Sequence, residues 1–276
     1  EDVDALVNRG VALCAMLRLR EAGEDFQRAL AHAPQSADAH WNLSLCLLQL
    51  GDYARGWSDY EWRWRKSEAE AQRPYGEPVW LGREEIGGRT VLLTAEQGLG
   101  DTLQFCRFAP QVAARGARVV LEVQAPLKRL LGRLEGVSGV IARGEPAPAF
   151  DYQCPLLSLP LALGVEREEA IPREPYLRPG AEARRRWGER VGPKSGLTVG
   201  LVWSGYAGFR NDRNRSVPLA MLLPLLESGA RVISLQKEVR EGDRATLRAH
   251  PEIERLGEEV EDFEDTAGLL EHLDVV

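Results

Sequence analysis

The stretch "TVLLTAEQGLGDTLQF" runs from Thr90 to Phe105 and joins an apolar run directly to a glycine-rich bend. A continuous apolar run that ends at glycine is typical of a buried parallel strand. The residues after the bend, "DTLQFCRFAPQVAARG", predict a helix with Gly116 just past its end. A strand, a bend and a helix in this order predict the first unit of an open, mostly parallel α/β sheet.

The same alternation continues to the end of the chain. Buried strands are predicted at 89–95, 117–123, 138–142, 150–156, 196–203 and 230–236. Helices are predicted over 125–134, from Pro218, over 240–250 and over 266–273. Ligands of such sheets bind at the carboxyl ends of the strands, so the bend after the first strand is where chemistry is expected.

The residues before the sheet repeat with a period of 34, which places Leu13 on Leu47 and Phe26 on Tyr60. Gly10 is small enough to let two helices approach, and the larger side chains fill the space between them. Helices are therefore predicted near 4–17, 21–33, 38–50 and 53–66. The second copy departs from this pattern at Ser44, Gly56 and Arg63.

Two repeats are fewer than an isolated helical array needs, so the repeats are expected to pack on the next domain. Trp57, Trp62 and Trp64 cluster at their end and predict a hydrophobic contact with that domain, or else a platform for a ligand or peptide. Residues 67–88 contain proline and several glycines and predict a linker.

The composition limits the classes of function. The chain has 276 residues, 44% of them hydrophobic, and a net charge of -7, which gives no electrostatic reason to expect nucleic acid or an acidic membrane as partner. No apolar run reaches the roughly 18 residues of a membrane span. These features predict a cytoplasmic protein without a transmembrane segment.

No metal site is expected. The four cysteines, Cys14, Cys46, Cys106 and Cys154, form no CxxC pair and have no neighbouring histidine, so they are predicted to be buried thiols in a reducing compartment. The acidic segment "GEEVEDFED" at 257–265 predicts a solvated loop or a helix start rather than a cation site.

The bend allows more than one interpretation. Gly98 and Gly100 begin a dinucleotide fingerprint, but Leu103 occupies the third glycine position and the acid about 20 residues on, Glu122, falls inside the second strand. A second interpretation is purely structural: the glycines allow a tight turn, and Asp101 caps the helix that follows. The third interpretation, catalysis, depends on a resemblance to a known family.

Four segments carry that resemblance: "LLTAEQGLGDTLQFCRFAPQVAARGARVVLEVQAPLKRLL", "FDYQCPLLSLPLALG", "VGLVWSGYAGFRNDRNRSVPL" and "SLQKEVREGD". In this order they resemble the bacterial tetratricopeptide-repeat (TPR) glycosyltransferases, which are similar to the ADP-heptose heptosyltransferases and more distantly to O-GlcNAc transferase. The resemblance implies a short TPR module followed by a GT-B fold of two Rossmann-like α/β domains, the second incomplete. The implied domains are 1–66 (TPR), 67–88 (linker), 89–190 (acceptor side) and 191–276 (nucleotide-sugar side).

The resemblance also implies which residues form the site. Asp101 matches the aspartate after the glycine turn that is the family's candidate general base, and Gln97, Gly98 and Gly100 form the acceptor-side turn. Arg215 and Pro218 match a cation-x-x-Pro pattern associated with the diphosphate. The implied donor-side residues are Ser204, Gly205, Arg215, Gln236 and Lys237.

The expected function is therefore transfer of a sugar from a nucleotide-sugar donor to an unknown acceptor with inversion, without a metal or other cofactor. The family continues past "LDVV" into a D-T-A-x-A-H segment that binds the donor, so a chain truncated here is expected to be weak or inactive. The alternative is an interaction protein whose repeats bind a protein partner and whose α/β part is a non-catalytic scaffold. A dinucleotide-dependent oxidoreductase is a third possibility.

Overall fold

A computed structural model describes residues 2–66, 75–193, 196–209 and 211–276 of the chain. Residues 67–74 of the predicted linker and Arg210 of the predicted donor loop lie outside the described residues. The chain divides into two compact units. The first contains Glu1–Ala125 and Glu135–Tyr176, and the second contains Pro126–Leu134 and Leu177–Val276.

The first unit begins with four helices at the positions that the repeat predicts. They are α1 (Val3–Ala15), α2 (Leu19–His32), α3 (Ala37–Gln49) and α4 (Tyr53–Tyr60). The side chains of Asp2, Ser36 and Asp52 accept hydrogen bonds from the first-turn amides of α1, α3 and α4. The last helix is shorter than the predicted 53–66, because the chain tightens into a 3₁₀ helix over Glu61–Arg65.

Successive helices of this module pack on one another around Phe26, which is fully buried. A Cβ added at Gly10 of α1 would lie 2.5 Å from the Phe26 ring of α2. Only glycine therefore allows α1 and α2 to approach this closely, as the repeat pattern predicts.

An ion pair between an exposed arginine and a buried aspartate also joins α1 to α2. Arg9 of α1 donates to Asp25 of α2, whose side chain is only 3% exposed, and Arg28 lies 3.5 Å from the same carboxylate. The hydrogen bond from Arg9 is the main reason that the pKa of Asp25 lies below its ordinary value of 3.8.

The Asp25 pair predicts a pH dependence of stability. A carboxylate whose pKa is lower in the folded state stabilises that state fully above the unfolded pKa, and its contribution is lost as the pH falls through the folded pKa. We expect Asp25→Asn to lower the free energy of unfolding at pH 7, and the difference from the unmodified chain to shrink below about pH 4. Urea unfolding at several pH values measures this, and a difference that is the same at pH 3 and pH 7 would contradict it.

The four-stranded sheet of the first unit is parallel throughout. Its strands are β1 (Thr90–Thr94), β2 (Arg118–Val123), β3 (Val137–Ala142) and β4 (Tyr152–Pro155), in the order β3-β2-β1-β4. The strand order reverses at β1, because the chain first adds strands on one side of it and then returns to the other. Crevices at such reversals are the usual ligand sites of open α/β sheets.

The helix predicted after the bend is interrupted. It consists of α5 (Leu99–Phe105), a 3₁₀ turn at Cys106–Phe108 and α6 (Ala109–Ala114). Pro110 has no amide hydrogen to donate and stands in the first turn of α6, where that loss is tolerated. A last short helix of this unit, α8 (Leu159–Ala162), follows β4.

The helical module packs on the helices α5 and α8 beside the sheet of the first unit, in line with the expectation that it packs on the next domain. The ring of Trp57 meets Phe105 of α5 edge-on, with 5.9 Å between centroids. In the segment between residue 75 and β1, Val79 forms a parallel β-bridge with Gln153 of β4, and Trp80 is fully buried. The segment before β1 is therefore fixed to the edge of the sheet.

The second unit contains a smaller parallel sheet of β5 (Thr198–Leu201) and β6 (Arg231–Ser234), and Val275 bridges to Val199 beside it. Its helices are α7 (Lys128–Leu131), α9 (Ala181–Val191), α10 (Glu241–Ala249) and α11 (Phe263–Leu270). The helix predicted from Pro218 is a 3₁₀ helix over Leu219–Ser228 with Pro224 inside it. Among the described residues, no helix is both long enough and apolar enough to cross a membrane.

The acidic segment 257–265 contains a helix start, one of the two outcomes that the sequence predicts, but its last two carboxylates are buried rather than solvated. Glu264 and Asp265, at the start of α11, are 2% and 0% exposed. Glu264 accepts a hydrogen bond from the Gly180 amide at 2.7 Å, and Asp265 pairs with Arg186 at 2.7 Å. Cations and amides from distant parts of the sequence therefore allow these acids to be buried.

Candidate functional site

The glycine-rich bend is a capped turn at the carboxyl end of β1. The Gly98 amide donates to Oδ2 of Asp101 at 3.0 Å, and α5 begins between these two residues. The Asp101 side chain is thus held by its own turn, as the structural interpretation predicts. Among the described residues, none donates a hydrogen bond to its other oxygen, Oδ1.

A glutamine after β2 holds this bend in place. Gln124 donates to the Gln97 carbonyl at 2.8 Å and accepts from the Thr102 hydroxyl at 2.9 Å. The side chain of Gln97 donates to the hydroxyl of Tyr60 in the helical module at 2.9 Å. The conformation of the bend therefore depends on two other parts of the first unit.

A cleft of about 700 Å³ lies beside the bend at the carboxyl edge of the four-stranded sheet. Thr94, Glu122 and Pro155 bring the ends of β1, β2 and β4 to it, and Arg143 follows β3. Its lining includes neither Asp101 nor the glycines of the bend. The cleft and the bend are thus separate features of one sheet edge.

Glu122 also belongs to this cleft. It lies within β2, as predicted, and is the last but one residue of that strand, close to the carboxyl edge of the sheet. Its carboxylate accepts a hydrogen bond from the Tyr75 hydroxyl at 3.1 Å. Burial, and then the nearby carboxylate of Glu122, raise the pKa of Tyr75, so this hydroxyl stays protonated and donates.

Glu96 lines the same cleft but is held by Arg63 of the helical module. The Arg63 guanidinium donates to both oxygens of Glu96, at 2.8 and 2.9 Å, and each side chain is 7% exposed. Arg63 also donates to Glu61 at 2.6 Å and to Ser158 at 2.7 Å. We call these four residues the Arg63 cluster.

In the second unit, Gln236 fastens the end of β5 to the end of β6. Its carbonyl oxygen accepts from the amides of Trp203 and Ser204, at 3.3 and 3.2 Å. Its side-chain amide donates to the carbonyls of Ser204 and Glu238, at 2.9 and 3.1 Å. The side chain is fully engaged in shaping this edge.

Ser204 and Gly205 follow β5 at this edge. The Ser204 hydroxyl is buried and, among the described residues, has no hydrogen-bond partner. A Cβ added at Gly205 would lie 2.7 Å from the Arg215 guanidinium. Glycine at this position therefore allows the Arg215 side chain to lie against the backbone beside Ser204.

The loop that carries Arg215 is held by Asp212. The carboxylate of Asp212 accepts from the Ser216 hydroxyl at 2.7 Å and from Arg240 at 2.7 Å. The bond from Ser216, and then that from Arg240, keep the pKa of Asp212 below its ordinary value, so the carboxylate stays ionised. Arg240 also donates to the Gly205 carbonyl at 2.9 Å, which ties the loop to the end of β5.

Lys237 is exposed and lies on a second cleft, of about 650 Å³, beyond the end of β6. Its ammonium group donates to the Glu261 carbonyl at 2.9 Å. The cleft lining includes the cations Lys237, Arg244, Arg248 and Arg255 against the acids Glu238 and Glu258. This excess of cations favours an anionic ligand.

The structure brings most of the predicted residues together in two groups. Gln97, Gly98, Gly100 and Asp101 form the bend, and Ser204, Gly205, Arg215 and Gln236 meet at the end of β5, with Lys237 next to them in sequence. Several residues of these edges were not predicted: Arg63, Tyr75, Glu96, Gln124, Arg143, Asp212, Ser216 and Arg240. Glu96 and Gln124 were detectable, because each is polar and comes directly after a predicted strand.

No family model matches the chain. In sequence it is 26% identical over 261 residues to Protein FlbA of Caulobacter vibrioides, over 83% of this chain and 43% of FlbA. The chain thus spans less than half the length of that relative. Among solved structures, it is similar to the glycosyl transferase family 9 protein of Veillonella parvula, with a TM-score of 0.40 and 8% identity, over 55% of this chain and 64% of that one.

Proposed function

We propose that the chain is part of an inverting glycosyltransferase that uses a nucleotide-sugar donor, with Asp101 as the general base. We further propose that its helices are TPR repeats, that its α/β units are the halves of a GT-B fold, and that the protein acts in the cytoplasm without a metal ion. The donor would bind at the ends of β5 and β6, and the acceptor at the carboxyl edge of the four-stranded sheet.

One observation carries the proposal: a hydroxyl, a close-packed glycine and a guanidinium converge after β5. The Ser204 hydroxyl is buried without a partner among the described residues, and the Arg215 guanidinium lies against Gly205 beside it. A buried hydroxyl without a partner costs free energy, which a ligand oxygen would recover. Hydroxyl and guanidinium groups suit a diphosphate, which gathers negative charge as a sugar–phosphate bond breaks.

The acceptor, the second reactant, would meet the carboxylate of Asp101. In the proposed step, Asp101 takes the proton of an acceptor hydroxyl while that oxygen attacks the anomeric carbon, and the bond from this carbon to the diphosphate breaks with its electrons staying on the phosphate oxygen. The amide of Gly98 holds one oxygen of Asp101 at 3.0 Å, which leaves the other for the proton. Position rather than high basicity would be the main contribution of this residue.

The charge of the first-unit cleft limits the acceptor. Glu96, Glu122 and Glu145 line it against Arg143, and Arg63 neutralises Glu96 from outside the lining. Carboxylates disfavour an anionic group close to them and can accept hydrogen bonds from neutral hydroxyls. An uncharged hydroxyl-bearing acceptor therefore fits this edge better than a phosphorylated one.

Arg215→Ala tests the donor site, because this guanidinium is the proposed contact of the diphosphate. A thermal-shift screen of nucleotide sugars with the longer protein of which this chain is proposed to be a part should find one that raises Tm. Calorimetry should then show that Arg215→Ala weakens the corresponding nucleoside diphosphate about 10-fold or more. The matched control is Arg213→Ala, which removes the same charge from an exposed position in the same loop and should change the affinity less than about threefold.

Equal losses in the two variants would show general charge attraction and contradict the assigned site. Failure of every nucleotide sugar to raise Tm would count against the glycosyltransferase, and a shift with NADH instead would favour the dinucleotide interpretation of the bend.

A second candidate function, a protein-interaction scaffold, is favoured by apolar side chains at the end of α1. Val11, Met16 and Leu17 are 47%, 63% and 79% exposed. Exposed apolar groups of this kind are common at protein interfaces. The scaffold predicts no response to nucleotide sugars, so the same thermal-shift screen separates the two functions.

A further inference from the structure

Two cysteines of the helical module lie next to each other although they are far apart in the sequence. Sγ of Cys14 on α1 is 3.0 Å from Sγ of Cys46 on α3, across a separation of 32 residues. The sequence shows that they occupy similar phases of their helices but does not show that they meet. Neither residue takes part in the proposed transfer reaction.

The two thiols differ in their surroundings. Cys46 is fully buried and packs with Phe26, Leu43 and Leu47, whereas Cys14 lies at the margin of this core and is partly exposed. Burial, and then the hydrogen bond with Cys14, raise the pKa of Cys46 to about 12. Because Cys14 is the more exposed of the two, it is the thiol that a small oxidant reaches first, and Cys46, whose sulfur lies 3.0 Å away, is placed to react second.

We infer that Cys14 and Cys46 form a reversible disulfide when the protein meets hydrogen peroxide. The sulfur of Cys14 attacks one peroxide oxygen, the O–O bond breaks, and Cys14 becomes a sulfenic acid while one water leaves. The sulfur of Cys46 then attacks the sulfur of Cys14, the S–O bond breaks, and the hydroxyl leaves as a second water with the Cys46 proton. Two thiols are oxidised, and one peroxide is reduced to two waters.

The core around the pair favours this product over further oxidation. A disulfide is apolar and uncharged, so it can remain against Phe26 and Leu43. A sulfinate is charged, and burying it in such surroundings without a partner would be costly. The nearby second sulfur also traps the sulfenic acid before more oxidant arrives.

The other two cysteines provide controls within the same chain. Cys106 and Cys154 are both buried, and their thiols donate to backbone carbonyls, of Leu103 and Pro155 respectively. Neither has a second sulfur as a hydrogen-bond partner in the part of the chain that the structure describes. They are thus expected to stay reduced under conditions that oxidise Cys14 and Cys46.

The test treats the full chain with a small excess of hydrogen peroxide and measures its intact mass and its thiols. We expect a loss of about 2 Da, a fall from four alkylatable thiols to two, and recovery of both with dithiothreitol. Trypsin without reductant should release residues 10–18 joined to residues 29–55. Cys106→Ser should behave like the unmodified chain.

Cys14→Ser should abolish the 2 Da loss, and Cys46→Ala should lead instead to a persistent sulfenic acid on Cys14 that dimedone labels. This second variant tests the assignment even if Cys14→Ser folds poorly. Retention of all four thiols, a disulfide between chains, or a joined peptide that contains Cys106 or Cys154 would each overturn the inference.

Discussion

Replacing Arg63 by alanine is expected to lower the free energy of unfolding by roughly 3–5 kcal/mol, because it leaves buried carboxylates without their cation. Arg63 is 6% exposed and donates to both oxygens of Glu96 and to Glu61. Urea unfolding followed by circular dichroism measures the loss. Arg63→Lys should recover part of it, since lysine restores the charge but not the planar fork that contacts both oxygens of Glu96.

Arg55→Ala is the matched control for Arg63→Ala. Arg55 pairs with Asp52 on the surface of the same module, but its side chain is 64% exposed. Exposed pairs contribute about 0–1 kcal/mol. A loss below about 1 kcal/mol in Arg63→Ala, equal to that of Arg55→Ala, would show that the Arg63 cluster does not stabilise the fold.

The second large effect is expected for Asp101→Asn in the longer protein of which this chain is proposed to be a part, where it should reduce sugar transfer by about 10²–10⁴-fold without weakening nucleoside diphosphate binding. Asparagine can still accept the hydrogen bond from the Gly98 amide and cap the turn, but it cannot take a proton. The measurement is release of nucleoside diphosphate from the nucleotide sugar that the thermal-shift screen identifies, together with calorimetry of the diphosphate.

Asp52→Asn is a suitable control, because Asp52 also caps a helix of the first unit and takes no part in the proposed chemistry. Its activity should stay within about twofold of the unmodified chain, as expected for a conservative surface change. If Asp101→Asn turns over as fast as Asp52→Asn, Asp101 is not the general base, and the bend is only a capped turn.

The strands were predictable from the sequence because their signal is local. The run Val91–Leu93 is apolar and buried on both faces, so its composition alone indicates a central strand. The helix predicted after the bend was less accurate, because the structure ends it in a 3₁₀ turn and begins a new helix at Ala109, with Pro110 in its first turn. The prediction of a parallel sheet combined with helices is confirmed.

The contacts that shape the candidate site were much harder to predict. Arg63 seemed only a departure from the repeat, since its partner Glu96 lies 33 residues away in sequence. The burial of Glu264 could not be read from the sequence, because the Gly180 amide that donates a hydrogen bond to its carboxylate lies 84 residues away. One sequence without an alignment shows which residues are polar, but not which polar residues meet.

The Arg63 cluster has a consequence for protein engineering. Because an arginine of the helical module neutralises a glutamate of the sheet edge, excising residues 2–66 would leave Glu96 without its cation and would uncover Phe105. The helical module therefore cannot be replaced by that of another protein simply by cutting and joining the chains at the linker. A chimera that folds would have to keep both Arg63 and Glu96. For the same reason, the first unit should melt in a single calorimetric transition rather than in two.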